Sequence, residues 1–146
     1  MAPVLTPSTA MTEERLPVFV YGTLRPGEKN YLHYLAGRTV DEVSAMAEGQ
    51  LYFVADGGYP YVEPGPGLVS GELIYLDPQH YEETLQAVDE LEEYNPDDEA
   101  HSVYLRRRTT VFLADGNPAA AWIYYWNCPS IAGIRISSGD FLNRPA

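Results

Sequence analysis

The chain has 146 residues, 45% of them hydrophobic, which suits one domain with a sizeable core and leaves too little for two. Its 21 acidic and 9 basic residues give a formal net charge of −12, which argues against nucleic acid and anionic membrane surfaces as partners, since both are met by clustered cations. The single cysteine, Cys128, cannot form an internal disulfide, no run is long enough to span a bilayer and residues 1–10 lack a signal-peptide pattern, so a cytoplasmic protein is predicted.

Residues 1–15 read as a loose tail, within which Met11 is a second candidate start, and residues 16–146 as one domain. Pro17 to Tyr21 is a short apolar run rich in β-branched and aromatic residues, which predicts a buried strand. It stops at Gly22, and the stretch from Gly22 to Asn30 predicts a loop. Asn30 is the candidate cap of a short helix through Leu35, ended by Gly37. Thr39 to Val54 predicts two strand pieces with a turn at Glu48-Gly49. The density of Gly and Pro from Asp56 to Gly67 predicts a loop, and Leu68 to Leu76 a strand. Asp77-Pro78 opens a helix, because Asp caps well and Pro is tolerated in the first turn; it is predicted to reach about Tyr94, before Asn95-Pro96. After an acidic loop from Asn95 to His101, strands are predicted at Ser102–Leu113 and Ala119–Asn127, joined by a hairpin at Asp115-Gly116-Asn117. A last short segment runs from Ile134 to Phe141. Strands outnumber helices and those after the main helix pair locally, so the expected class is α+β with a mixed, largely antiparallel sheet able to close into a barrel.

The helix carries the sharpest chemical signal. At about 100° per residue, Tyr81, Leu85 and Val88 share one stripe with Leu91 at its edge, and Glu92 falls about 40° from Val88 and about 20° from Leu85. Glu82, Glu83, Glu90 and Glu93 fall elsewhere and read as a solvated face. A carboxylate on the apolar stripe is costly unless it is paired or kept for chemistry, and burial raises its pKa toward the range of a general acid/base. Periodicity leaves a second reading open, in which Glu92 reaches water at the helix end or pairs with an arginine.

Gly22 allows a sharp turn whose N–H groups can form an anion-binding nest, although the same glycine can simply end a strand. The loop lacks the spacings of a dinucleotide site or a P-loop. Tyr104 and Arg106 leave the same face of one strand, and Arg106 is a natural partner for a substrate carboxylate or for Glu92; the run Arg106 to Arg108 otherwise reads as solvated. His33, His80 and His101 are scattered without metal-ligand spacing. Trp122, Tyr124, Tyr125 and Trp126 read as core and barrel lining, and Cys128 as a strand-end residue.

Four segments, taken in order, resemble the γ-glutamylcyclotransferase-like superfamily, which includes the γ-glutamylamine cyclotransferases and the AIG2-like plant proteins. They are the strand entering Tyr21-Gly22-Thr23-Leu24-Arg25, the run from Val88 to Tyr94, Tyr104-Leu105-Arg106 ahead of an aromatic strand with Trp122 and Tyr124, and Gly139-Asp140-Phe141. Val88 stands where the family usually has Leu, and Glu93 where it usually has Gly. The resemblance covers Pro17 to Phe141 and implies a compact β-barrel with flanking helices. It implies that Glu92 is the catalytic glutamate, that Tyr21, Gly22, Thr23 and Leu24 cradle a γ-glutamyl group, and that Tyr104 and Arg106 shape or support the pocket. The expected reaction releases 5-oxoproline from a γ-glutamyl amino acid or γ-glutamylamine, without metal or organic cofactor. Two rival expectations are a non-catalytic module that binds a small acid and a β-barrel interaction domain.

Overall fold

The apolar run at Pro17–Tyr21 forms β1 (Val18–Val20), which is buried on both faces. Strand alternation sends Val18 and Val20 into one apolar cluster and Phe19 into another. In the computed structural model, which describes residues 15–144, β1 pairs antiparallel with β3 (Tyr59–Leu76) and parallel with β5 (Pro118–Trp126). β5 pairs with β4 (Tyr104–Leu113), β4 with β2 (Thr39–Val54), and β2 returns to β3. Five strands in the order β3-β1-β5-β4-β2 thus close into a barrel, and β6 (Ile134–Arg135) adds to β2. Closure removes the free edges that an open sheet would leave. Two helices flank it, α1 (Lys29–Tyr34) and α2 (Tyr81–Leu91), so the expected α+β barrel is the observed one.

The middle of the chain departs from expectation. Thr39–Val54 is one strand of 16 residues, not two, and the predicted loop at Asp56–Gly67 belongs mostly to the 18-residue β3. Glu48 pairs with Leu68 and Gln50 with Glu63, so Gly49 alone faces Pro64-Gly65-Pro66-Gly67. The Gly/Pro run is a wide bulge within a long hairpin, where a proline needs no ladder donor. Gln50 Nε2 closes it by donating to the carbonyl of Pro66 at 3.2 Å.

Asp77 caps a 3₁₀ turn, accepting from the Gln79 N–H at 3.0 Å, and α2 follows directly. Its α-helical part stops at Leu91 rather than Tyr94. Asn30 does not cap α1; Glu28 takes that position, and the Asn30 side chain turns back to the loop before it. Arg15, assigned to the tail, is anchored by hydrogen bonds to the Pro78 carbonyl and Glu82; the rest of the predicted tail, with Met11, lies outside the described residues.

Candidate active site

The end of β1, the C-terminal end of α2, the starts of β3 and β4 and the end of β5 surround a cavity of about 350 Å³. Tyr21, Gly22, Thr23, Leu24, Glu92 and Tyr104 all lie on its wall, with Tyr59, Glu93, Tyr124, Trp126 and Cys128. Residues separated by about 70 positions in the sequence meet here because β1 sits between β3 and β5, while α2 packs over the same apolar cluster as Val18 and Val20.

The loop after β1 is held in shape from three sides. Arg25 N–H donates to the Gly22 carbonyl at 3.0 Å, and Asn30 donates to Thr23 through both its backbone N–H (3.2 Å) and its side chain (2.8 Å). The Arg25 guanidinium, nearly buried, bridges Glu72 on β3 and Asp140 at 2.8 Å each. Among the described residues, the N–H groups of Gly22, Thr23 and Leu24 donate to no protein acceptor. They are three adjacent donors beside a cavity, the arrangement that suits an anion or a developing oxyanion. Gly22 is required there, since a β-carbon at this position would overlap the Pro60 ring.

Glu92 is the C-cap residue of α2, and its side chain makes no hydrogen bond or ion pair among the described residues. Part of its surface is open to the cavity, but protein shields it on the remaining sides. This burial, with the charges of Asp89 and Glu93 added to it, lifts its carboxyl from 4.5 to about 8. Three tyrosine hydroxyls near it are committed elsewhere: Tyr21 donates to the Tyr124 carbonyl (2.7 Å), Tyr104 to the Pro60 carbonyl (2.6 Å) and Tyr124 to Asp89 (2.5 Å). All three phenols are pushed up, by burial first and by the Glu92 charge among the lesser causes, so they remain neutral hydroxyls.

Arg106 is the one predicted site residue absent from the cavity wall. Its guanidinium holds Asp89 through two hydrogen bonds (2.9 and 3.3 Å) and lies 4.6 Å from the centre of the Trp122 ring. Beyond it the arginine run faces solvent: Arg107 pairs with Glu99 at 2.8 Å with about 40% of each side chain exposed, and Arg108 is exposed. Asp89 was missed by the sequence reading, yet it follows Leu85 by four residues, about 40° around the helix, and so shares the apolar stripe. Cys128 does follow the end of β5, as read, and also reaches the cavity. Among the described residues no group of three or more His, Cys, Asp or Glu side chains is placed to hold a metal ion, and no helix is long and apolar enough to cross a membrane.

The closed mixed barrel defines the class of fold, and comparison with known proteins places the chain in a family. Residues 18–143 match the family described as γ-glutamyl cyclotransferase, AIG2-like, and the chain belongs to that family of cyclotransferase-type enzymes. A γ-L-glutamyl-butirosin B γ-glutamyl cyclotransferase of Niallia circulans is 34% identical over 120 residues, covering 82% of this chain and 72% of that one. An uncharacterized protein of Pyrococcus horikoshii has a similar structure, with a TM-score of 0.58 at 29% identity over 86% of this chain and 89% of the other. An AIG2-like protein of Mus musculus shares the fold, with a TM-score of 0.60 at 20% identity over 81% and 84% of the two chains.

Proposed function

We propose that the protein releases 5-oxoproline from a γ-glutamyl amine or γ-glutamyl amino acid, with Glu92 as the general acid/base. The observation that carries this reading is the unpartnered Glu92 carboxyl, pushed up to about 8 by burial, on the same cavity wall as the free N–H groups of Gly22 to Leu24. The relative from Niallia circulans, named for a γ-glutamyl cyclotransferase activity, supports the reaction type.

The α-ammonium of the bound γ-glutamyl group gives a proton to the Glu92 carboxylate. The freed nitrogen attacks the γ-carbonyl carbon of the same group, and the five-membered ring closes. Because nucleophile and electrophile are tethered, the enzyme mainly has to fold the substrate into an attack conformer. The loop N–H groups stabilise either the oxyanion or the α-carboxylate. Glu92 then hands its proton to the leaving nitrogen, the amide C–N bond breaks, and a second proton follows the same route, so the amine departs as an ammonium ion. Tyr104 holds the Pro60 side of the pocket, and Arg106 acts from outside the cavity by neutralising Asp89 behind Glu92.

The test is incubation of the purified protein with a panel of γ-glutamyl amines and amino acids, following 5-oxoproline by mass spectrometry, with Glu92→Gln in parallel. Release by the native protein alone is expected. A folded Glu92→Gln protein with full activity would sink the assignment of Glu92, and no release from any compound would sink the reaction.

A further inference from the structure

Among the described residues the cavity wall bears no lysine, arginine or histidine; its charged side chains are Glu92 and Glu93. The two neighbours differ in setting. Glu92 is shielded among tyrosines, whereas Glu93 is exposed at the cavity edge. The difference comes from the backbone, since Glu93 has φ of 53°, the left-handed region, and its N–H closes the helix end on the Glu90 carbonyl at 3.1 Å. A side chain in that conformation costs about 1 kcal/mol relative to glycine. The chain thus keeps a carboxylate at the rim in a backbone conformation that favours glycine.

The surroundings of Glu93 match a cation. Tyr59, partly exposed, stands on the same wall and offers a π-face, while Trp126, 6.0 Å from it between ring centroids, is nearly buried and stacked on Tyr61. Tyr59 also lines a second depression that contains Asp56. Its phenol is pushed up by burial first, then by the charges of Cys128, Asp56 and Glu93, which places both carboxylates in its neighbourhood. The C-terminal end of α2, with its partial negative charge, points to the same place.

We propose that this rim is a leaving-group subsite for an amine that carries a second positive charge, a diamine or polyamine, with Glu93 as the residue that sets the preference. The inference rests on the cyclotransferase reading of the same cavity. A cationic tail reaching past Glu92 meets a carboxylate, the Tyr59 ring and a helix C-terminus. A leaving group with its own carboxylate meets repulsion there and finds, among the described residues, no cationic side chain on the wall. The subsite therefore separates γ-glutamyl amines from γ-glutamyl amino acids by charge.

The experiment compares γ-glutamyl-cadaverine with γ-glutamyl-n-hexylamine, in which a methyl group replaces the terminal ammonium. The readout is the ratio of their kcat/KM values in the native protein, Glu93→Gln and Glu93→Gly. The native ratio is expected to favour the cationic compound about tenfold, as one partly exposed charge contact plus a ring face provides, and to shrink with added salt. Both variants should bring it close to one; glycine suits the backbone conformation, so loss of the fold is not an explanation for that arm. Equal native values for the two compounds, or a ratio that survives both substitutions, would overturn this inference while leaving the cyclotransferase reading intact. No 5-oxoproline from either compound or from the wider panel would overturn both.

Discussion

Asp89 and Glu92 stand three residues apart at the carboxyl end of α2, and only Asp89 is neutralised. Asp89 accepts from Arg106 and from the Tyr124 hydroxyl, while Glu92 has no partner among the described residues. The paired residue anchors the helix end, and the unpaired one carries the titratable proton. Glu92→Gln is expected to lower kcat by about 10²- to 10⁴-fold, the usual contribution of a positioned acid/base, with little change in substrate affinity. Steady-state kinetics with 5-oxoproline detection checks it.

The pH profile follows from the same residue. The free enzyme must hold Glu92 as a carboxylate to accept a proton, so kcat/KM is expected to rise with pH along a limb centred at about 8. The groups facing Glu92 are Asp89, Glu93 and the phenols of Tyr21, Tyr104 and Tyr124, and the phenols stay protonated through this range. A limb centred near 4.5 would show that Glu92 is not the titrating group.

Stability moves the other way. Between 4.5 and 8 the unfolded chain releases the Glu92 proton that the native state retains, so stability falls as pH rises through this window and levels off above it. Relative to the native protein, Glu92→Gln is therefore expected to be about equally stable at pH 5 and more stable at pH 9, by roughly 1–2 kcal/mol once the opening to the cavity is allowed for. Denaturant titrations at the two pH values measure it.

Arg106→Met keeps the apolar stem over Trp122 but leaves the largely buried Asp89 carboxylate with Tyr124 alone. A loss of about 2–3 kcal/mol is expected, as for the removal of one partner from a mostly buried ion pair. Without the guanidinium the negative charge of Asp89 acts on Glu92 unopposed, so the activity limb should shift to higher pH. A variant that loses stability with an unmoved limb would confine Arg106 to a packing role.

Gly22→Ala places a methyl group against Pro60, whose carbonyl holds the Tyr104 hydroxyl. The expected cost is about 1–3 kcal/mol of stability, as for overpacking, together with a raised KM as the loop N–H groups move. Circular dichroism melting and kinetics on one preparation separate the two effects.

Much of this was legible in the sequence, for reasons that differ by residue. Glu92 stood out because helical periodicity is a strong signal and a carboxylate on an apolar stripe is rare. The PVFVY run announced a buried strand, although its place between β3 and β5 is set by pairings that no local pattern shows. The Gly/Pro run at residues 64–67 misled because its composition is that of a loop, whereas a bulge needs the same φ freedom and missing donor. Asp89 was overlooked among five other carboxylates on the helix and its end, although its spacing from Leu85 carried the information. Arg106 was placed on the correct face of its strand, but which carboxylate it would meet depends on how α2 lies across the barrel.

The position of β1 has a consequence for synthesis. The strand bearing the Gly22 loop is made well before its neighbours, the far end of β3 and the middle of β5, with Val18 pairing to Ile74 and Trp122. The loop is tied further to Asp140 through Arg25. Such distant pairing is slow, because the chain must close long loops before any contact rewards them. A nascent chain halted before β5 exposes Val18, Phe19 and Val20 and has no pocket, so the cavity forms only after β5 has been made, and chaperone demand should peak in that interval.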